Sequence, residues 1–387
     1  MNTGISAIFI DLSKAFDTTD HEILLSKLEK YGIKETELLF FKNYLTGRRQ
    51  YTVYYDTISD WLEILCGVPQ GSILGPLLFI IYINDLPNSV NLETTLFADD
   101  TTLLKADESL QTLELNVNQN LKLANEWFTA NKLTLNVGKT KVMLFSHRVV
   151  TEQTNFSINN TKIEQVGEAF KEKSTKFLGF HLDEKLSWKY HIEEIRKKTT
   201  SGAYILYATK NLLNSINKLG VYHALVSSHL NYGICVWGDS KSKYIKKLET
   251  IQRKATRSII NGKYNAHTDP IFKKTQILKL KDMVDQGRVN IMFAINKKEA
   301  PIGTQKLFKK ADPSNRLRLN PLNFESSFSP EDLIGNKFPQ AWNKLPDVVK
   351  SLQSKLLFKK NTKELKIGEY KSEMNCPPTC YICHNQR

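Results

Sequence analysis

The chain has 387 residues, 41% of them hydrophobic, and a formal net charge of +14. This composition excludes a disordered chain and suffices for two or three domains with sizeable cores. No secretory leader pattern is recognisable, and the longest apolar run, residues 73–83, is interrupted by Gly75 and Pro76 and too short to span a membrane. We therefore expect a protein with no membrane partner that is not secreted, located in the nucleus, the cytoplasm or both.

Charge is divided unevenly along the chain. Lys and Arg number 19 against 24 Asp and Glu in residues 1–190, and 35 against 16 in residues 191–387. A basic half joined to a slightly acidic half suggests a phosphate-binding surface coupled to a carboxylate-bearing site. Solvated, lysine-rich helices are the simpler alternative.

Strands and helices alternate through the first half, without the rhythm of parallel βαβ units. The pattern first predicts a buried strand over 5–10 that ends at Asp11, then a helix within 21–33 with Gly32 as its stop signal. Two alternating runs between 48 and 65 are followed by a Gly/Pro-rich loop and an apolar helix closed by Pro87. A hairpin around Asp99 and Asp100 and a helix over about 110–131 come next. Residues 132–146 add two strand-like runs, and residues 176–188 add a last strand pair. The fold class is therefore predicted as α+β.

From residue 191 onward the pattern becomes mostly helical and basic. Within 243–260, Tyr244, Leu248, Ile251, Ala255 and Ile259 share one face of a predicted helix, with Lys243, Lys246, Lys247, Lys254 and Arg257 largely opposite. A domain boundary is predicted near residue 190, and beyond about residue 300 the packing signal weakens.

Asp11, Asp99 and Asp100 are the candidate chemical residues. If the strand end and the hairpin tip are neighbours in one sheet, three carboxylates converge, and their mutual repulsion implies a divalent cation. Oxygen ligands without nearby His or Cys favour Mg²⁺ or Mn²⁺ over zinc. Two such ions can promote in-line nucleotidyl transfer, although surface turns and calcium loops also carry paired acids.

Five segments together resemble a known family. "FIDLSKAFD", "GVPQGSILGPLLF", "FADDTTLL", "LTLNVGKTK" and "KFLGFHLD" occur in the order and approximate spacing of the reverse transcriptases of non-LTR (LINE and jockey-like) retrotransposons. The resemblance implies a polymerase palm over 1–189, an antiparallel sheet with packed helices, then a helical, basic, thumb-like domain over 190–300 and a C-terminal extension over 301–387.

The resemblance also implies roles for individual residues. Asp11, Asp99 and Asp100 match the catalytic metal-binding acids, the Leu12 carbonyl completes one ion's coordination, and Lys139 matches a lysine near the triphosphate. Phe16 matches the aromatic gate that excludes a 2′-hydroxyl, and Gln70 and Gly71 match the loop that contacts the incoming nucleotide. Phe177, Leu178 and Gly179 match the primer grip. Core packing is the alternative for the phenylalanines, and an ordinary surface position for Lys139.

The implied function is RNA-directed DNA polymerisation, with an RNA template, a DNA primer and deoxynucleoside triphosphates (dNTPs) as partners. Because only ten residues precede Asp11, the sequence is interpreted as an N-terminally truncated element without fingers or endonuclease. The alternatives are an inactive remnant that only binds nucleic acid, and a different palm-type enzyme such as an RNA polymerase or an intron maturase.

The cysteine content separates the C-terminus from the rest of the chain. Five cysteines are too few for a disulfide framework. Three of them, Cys376, Cys380 and Cys383, lie with His384 in "CPPTCYICH", a candidate zinc site. A thiol-rich tail without metal is the alternative, because Cys383 and His384 are adjacent and chelate one ion awkwardly.

Overall fold

The computed structural model describes residues 4–145, 151, 153–311, 320–327 and 333–371. The chain divides into two compact units, Met1–Ser187 and Trp188–Arg387. The first contains both strands and helices and the described elements of the second are helical, so the α+β prediction is confirmed. Among the described residues, none of the helices has both the length and the apolar character that a membrane span requires.

The first unit is built on a five-stranded sheet. Its elements are β1 (Gly4–Ile10), α1 (His21–Lys30), α2 (Glu35–Leu45), β2 (Arg49–Gln50), β3 (Val53–Tyr54), β4 (Thr57–Ile58), β5 (Leu62–Glu63), α3 (Leu74–Ile83), β6 (Glu93–Phe97), β7 (Asp100–Asp107), α4 (Leu110–Ala130), β8 (Lys141–Phe145), β9 (Ser157–Ile158), β10 (Thr161–Lys162), β11 (Glu164–Val166), β12 (Thr175–Phe177) and β13 (Phe180–Leu182). The sheet order is β11-β8-β1-β7-β6. Only the β11–β8 pair is parallel among these ladders.

β1 occupies the middle of this sheet because its side chains are almost all apolar or small. Ile8 and Ile10 are buried and join a core to which α1, α3 and α4 contribute Leu24, Phe79 and Leu121. An ordinary N-cap begins α1, where the Asp20 carboxylate accepts the Ile23 N–H at 3.0 Å. A central strand with helices packed on it gives the end of β1 a rigid position.

One sequence expectation needs correction. The run 133–135, expected to be a strand, forms only an isolated bridge between Leu135 and Leu12, because its backbone bonds to the segment that follows β1 rather than to a ladder. The alternating runs between 48 and 65 form four two-residue strands paired as β2–β5 and β3–β4. Both faces of these short strands are exposed, so alternation there does not mark a core face.

The second unit is a helical assembly. Its helices are α5 (Lys189–Ala208), α6 (Ser215–Tyr222), α7 (Ser228–Asn231), α8 (Ile234–Trp237), α9 (Ser242–Ile259), α10 (Thr268–Thr275), α11 (Leu280–Asn296), α12 (Ile302–Lys306), α13 (Phe338–Asn343), α14 (Asp347–Lys350) and α15 (Lys355–Gly368), with π-helical turns at His223–Ser227 and Leu333–Lys337. As predicted, α9 buries Leu248, Ala255 and Ile259 and exposes lysines on its other face. A second core surrounds Phe293, Trp342 and Phe358.

Candidate active site

The sheet register brings Asp11 to the hairpin that carries the other two aspartates. β1 and β7 are antiparallel and their last pair is Ile10 with Thr101, so Asp11 leaves β1 beside the residue at which β7 begins, Asp100. Asp99 lies in the two-residue turn between the paired residues Phe97 and Asp100. Asp11 and Asp99 are 88 residues apart in the sequence, yet they lie at the same end of the sheet.

The charges at this end of the sheet act on one another. Partial burial raises the pKa of the Asp100 carboxyl, and the charges of Asp99 and then Asp11 raise it further, while Lys176 lowers it. Across the described ranges, no three His, Cys, Asp or Glu side chains form a ready metal-binding cluster. The donor set nevertheless suits a hard divalent cation, since it consists of carboxylates whose repulsion a cation relieves.

A loop between α4 and β8 fixes the backbone of Asp11. The Asp11 carbonyl oxygen accepts the Asn136 N–H at 2.9 Å, and the Asp11 N–H donates to the Thr140 hydroxyl oxygen at 3.4 Å. Thr140 is fully buried and its hydroxyl donates to the Asn136 carbonyl at 2.9 Å. Sequence reasoning missed both residues, although a turn signal in "NVGKT" was available.

Two lysines have different relations to the carboxylates. Lys139 lies in the same loop, its N–H donating to the Asn136 carbonyl at 3.1 Å and its side chain exposed. Lys176, which the sequence did not single out, is the lysine whose charge reaches Asp100. The loop positions the Lys139 backbone next to the segment that contains Asp11. The lysine whose charge lowers the pKa of Asp100 is Lys176.

The glycine-rich loop before α3 is bonded to the segment that follows β1. The Gly67 N–H donates to the Thr19 carbonyl at 2.7 Å, and His21 Nε2 lies 2.8 Å from the Gly67 carbonyl oxygen. Gly67 has a φ of +89°, and a Cβ there would lie 2.7 Å from the Asp17 carbonyl oxygen. Only glycine fits so close to another backbone. No sequence pattern indicated this contact or the hydrogen bond of His21.

Gln70 and Gly71, the predicted nucleotide-contacting pair, lie on the exposed side of this loop. Gln70 Nε2 donates to the Asp17 carboxylate at 2.6 Å. Gly71 has a φ of +80° with open space where a Cβ would project. The loop therefore combines open space beside Gly71 with a Gln70 side chain that Asp17 holds in one orientation.

Phe16 is half-buried, and its ring lies 4.5 Å from that of Phe79 between centroids. Its carbonyl oxygen accepts the Val68 N–H at 2.8 Å. The ring of Phe16 therefore packs on α3, and its backbone carbonyl connects the segment after β1 to the glycine-rich loop. This packing agrees with the core interpretation of Phe16 and is also the support that a fixed gate requires.

The predicted primer grip is a tight hairpin. Phe177 ends β12, and Leu178 and Gly179 form its turn, with φ values of +45° and +80°. The Phe177 ring lies 5.5 Å from that of Phe9 between centroids. With the neighbouring Lys176 acting on Asp100, the hairpin packs at the same end of β1 as the carboxylates.

The candidate zinc residues, Cys376, Cys380, Cys383 and His384, lie outside the described residues. The zinc prediction is therefore untested.

Comparison with known proteins covers both units. Residues 2–182 match the family model described as reverse transcriptase (RNA-dependent DNA polymerase). The chain is 26% identical over 289 residues to a probable RNA-directed DNA polymerase from transposon X-element of Drosophila melanogaster, covering 73% of this chain and 31% of that protein. It is 26% identical over 300 residues to the RNA-directed DNA polymerase from mobile element jockey of the same species, covering 74% and 32%.

The chain therefore spans about a third of the length of these curated relatives. A solved structure of telomerase from Candida albicans, in complex with a TWJ fragment of telomeric RNA, matches 73% of this chain and 48% of that chain at 11% identity. Its TM-score of 0.31 is too low to establish a shared fold.

Proposed function

We propose that this chain is the polymerase module of a non-LTR retrotransposon enzyme, because residues 2–182 match the family model described as reverse transcriptase (RNA-dependent DNA polymerase). It extends a DNA primer on an RNA template with dNTPs. The similarity to the X-element and jockey polymerases supports this choice of element class. Such a module acts in the nucleus, the cytoplasm or both.

The sheet register is the observation that carries the proposal. A strand end bearing Asp11 meets a hairpin tip bearing Asp99 and Asp100, and their charges raise the pKa of Asp100. A fold gains nothing in stability from such repulsion, so the arrangement favours a role in binding cations.

These three carboxylates and the Leu12 carbonyl are the groups that would hold Mg²⁺ or Mn²⁺. When bound, such ions activate the primer 3′-hydroxyl and neutralise the pyrophosphate leaving group. The chain itself positions the Asp11 ligand, because Asn136 and Thr140 each form a hydrogen bond with the Asp11 backbone. A ligand set fixed in this way needs little reorganisation during the reaction.

The surrounding residues divide the remaining tasks. Phe16, backed by Phe79, is proposed to lie under the sugar of the incoming dNTP and exclude a 2′-hydroxyl, while Gln70 and Gly71 contact the nucleotide. Lys139 is proposed to protonate pyrophosphate. The hairpin turn 177–179 is proposed to hold the primer end.

The second unit is proposed to bind the phosphates of the RNA–DNA hybrid. The exposed lysines of α9 (Lys243, Lys246, Lys247 and Lys254) form a basic surface on one side of a helix whose other side is buried. Contacts of this kind do not depend on base sequence and weaken steeply with salt.

Primer extension on an RNA template, in Mg²⁺, tests the proposal. Asp99→Asn is compared with Asp56→Asn, because Asp56 is also an exposed aspartate in a two-residue hairpin turn, between Tyr54 and Thr57. We expect extension to be lost in Asp99→Asn and unchanged in Asp56→Asn.

Equal activity in the two variants would remove Asp99 from the chemistry. A folded wild-type chain that binds RNA but extends no primer would overturn the polymerase proposal for this chain and favour the nucleic-acid-binding alternative.

A further inference from the structure

Asp17, the residue after Phe16, is joined to the glycine-rich loop through both its backbone and its side chain. Its carbonyl oxygen accepts from the Cys66 thiol at 3.3 Å, and its carboxylate accepts from Gln70 Nε2 at 2.6 Å. Asp17 is exposed and is not one of the three aspartates that meet at the end of the sheet. It therefore connects the proposed sugar gate to the proposed nucleotide-contacting residue.

The backbone of Asp17 has a fixed position against this loop. Its N–H donates to the Lys14 carbonyl at 2.9 Å. On the other side, Gly67 approaches so closely that a Cβ there would lie 2.7 Å from the Asp17 carbonyl oxygen. Because Gly67 is three residues before Gln70, the backbone that carries the carboxylate and the loop that carries Gln70 are held together.

The Gln70 side chain depends on this carboxylate for its orientation. Gln70 is exposed and lies between β5 and α3, outside both elements. Within the described residues, the bond from Nε2 to Asp17 is the hydrogen bond that its side chain forms. A free glutamine side chain samples several rotamers and both orientations of its amide. The bond selects the orientation in which Oε1 points away from Asp17, and it leaves Oε1 and the second Nε2 hydrogen for a ligand.

The charge of Asp17 is unfavourable for the ligand proposed for this loop. The triphosphate of a dNTP is strongly negative, so a nearby carboxylate repels it. An exposed hydrogen bond also adds little to folding stability, because water competes for both partners. Neither attraction of the nucleotide nor stability of the fold therefore accounts for a carboxylate at this position, whereas the orientation of Gln70 does.

We propose that Asp17 is a positioning residue for the incoming nucleotide. Its carboxylate holds the Gln70 amide in the orientation that contacts the nucleotide, which reduces the side-chain entropy lost when the dNTP binds. Asp17 itself touches no substrate. This role rests on the proposed function, since it requires that Gln70 contacts a dNTP.

Primer extension at varied dNTP concentration tests the proposal. Asp17→Ala removes the acceptor and keeps the backbone groups of residue 17. Asp107→Ala is the matched control, because the Asp107 carboxylate accepts from Asn116 Nδ2 at 3.0 Å, a bond of the same type. Asp107 pairs with Gly4 at the opposite end of β7 from Asp100.

We expect the KM for dNTP to rise about three- to tenfold in Asp17→Ala, the scale of one hydrogen bond, with kcat and primer–template affinity within about twofold of wild type. In Asp107→Ala the KM for dNTP should not change. An unchanged KM in Asp17→Ala, while the wild type extends primers, would overturn this role of Asp17 and leave the proposed function intact.

Asp17→Asn separates the hydrogen bond from the charge. Asparagine keeps a side-chain carbonyl that accepts from Gln70 Nε2, so the KM should be near that of wild type. A KM as high as in Asp17→Ala would assign the effect to charge and overturn the proposal. If Asp17→Ala does not fold, as judged by circular dichroism, Asp17→Leu replaces it, since leucine has a similar branched shape without an acceptor.

A double variant shows whether the effect passes through Gln70. In a Gln70→Ala background, Asp17→Ala should raise the KM for dNTP no further, because the amide that it orients is already absent. An equal rise in both backgrounds would mean that Asp17 acts through the fold of the loop, and would overturn the proposal.

A measurement without substrate decides the contact even if the wild type extends no primer. In protein labelled with ¹⁵N at its glutamine side chains, the Gln70 signal is identified by its absence in Gln70→Ala. We expect Asp17→Ala, but not Asp107→Ala, to move this signal to the position of a free glutamine amide. An unmoved signal would overturn the inference whatever the result of extension. A moved signal in a chain that extends no primer would support the contact but overturn the proposed function and, with it, the nucleotide role of Asp17.

Discussion

Two hairpin turns of the first unit have the same local conformation and different surroundings. In one, Ala98 and Asp99 connect β6 to β7, and in the other, Tyr55 and Asp56 connect β3 to β4. The first residue of each turn has a φ of +51° and the second is an aspartate. β7 is eight residues long and pairs with the central strand over seven of them, whereas β3 and β4 are two-residue strands with exposed faces.

Because the two turns have the same conformation and differ only in their surroundings, the turn itself carries no chemistry. The tip of the first hairpin becomes a candidate metal site because β1 delivers Asp11 beside it. The β3–β4 hairpin has an aspartate, Asp56, at the same turn position, but its ladder has no strand that brings a second carboxylate beside it. Variants that separate local conformation from surroundings therefore test the site most directly.

Asp11→Asn is expected to have the largest effect. Extension should fall about a thousandfold or more, because a lost metal ligand removes several kcal/mol of transition-state stabilisation. The free energy of unfolding should be unchanged or higher, since one of the charges that disfavour ionised Asp100 is removed. Single-turnover extension and thermal denaturation measure the two quantities. Marked destabilisation would instead identify Asp11 as a structural residue.

Gly67→Ala and Gly71→Ala compare two glycines of positive φ in one loop. Gly67→Ala should lower the free energy of unfolding by about 3 kcal/mol, because φ strain is joined by a backbone clash with Asp17. Gly71→Ala, with open space around its Cβ, should cost only about 1 kcal/mol. Urea denaturation checks the ranking, and equal losses would mean that the contact with Asp17 relaxes at little cost.

Phe16→Val should raise the use of ribonucleotides relative to dNTPs by about tenfold or more, because the smaller side chain leaves room for a 2′-hydroxyl. Phe16→Tyr keeps the ring and its contact with Phe79, so it should discriminate like the wild type. The ratio of kcat/KM values for the two substrates is the measurement. An unchanged ratio in Phe16→Val would leave Phe16 as a core residue only.

Thr140→Val and Thr101→Val should give the smallest effects, with a clear difference between them. The Thr140 hydroxyl accepts from the Asp11 N–H and donates to Asn136, so its loss should cost about 1–2 kcal/mol. Thr101 is equally buried, but its hydroxyl has no partner within the described residues. Its replacement should be neutral or stabilising. Thermal denaturation of both variants decides the point.

Much of the first unit could be predicted from local patterns. The apolar run of β1, the helix α4 and the Asp99 hairpin occur where the sequence indicated, because period and turn chemistry are local properties. The run 133–135 was misassigned because its bonding partner, the segment after Asp11, is more than a hundred residues away. The motifs named the candidate residues, and their roles stay predictions.

Local sequence is enough to identify the residue types that are available: two adjacent acids at a turn, glycines before an apolar helix, and a basic second half. Which of these residues contact one another depends on the three-dimensional arrangement of the strands and helices. His21 reaches Gly67, Lys176 acts on Asp100, and Arg288 pairs with both Asp239 and Asp285. Such contacts depend on strand register and helix packing, which bring together residues too far apart in the chain for any local pattern to connect.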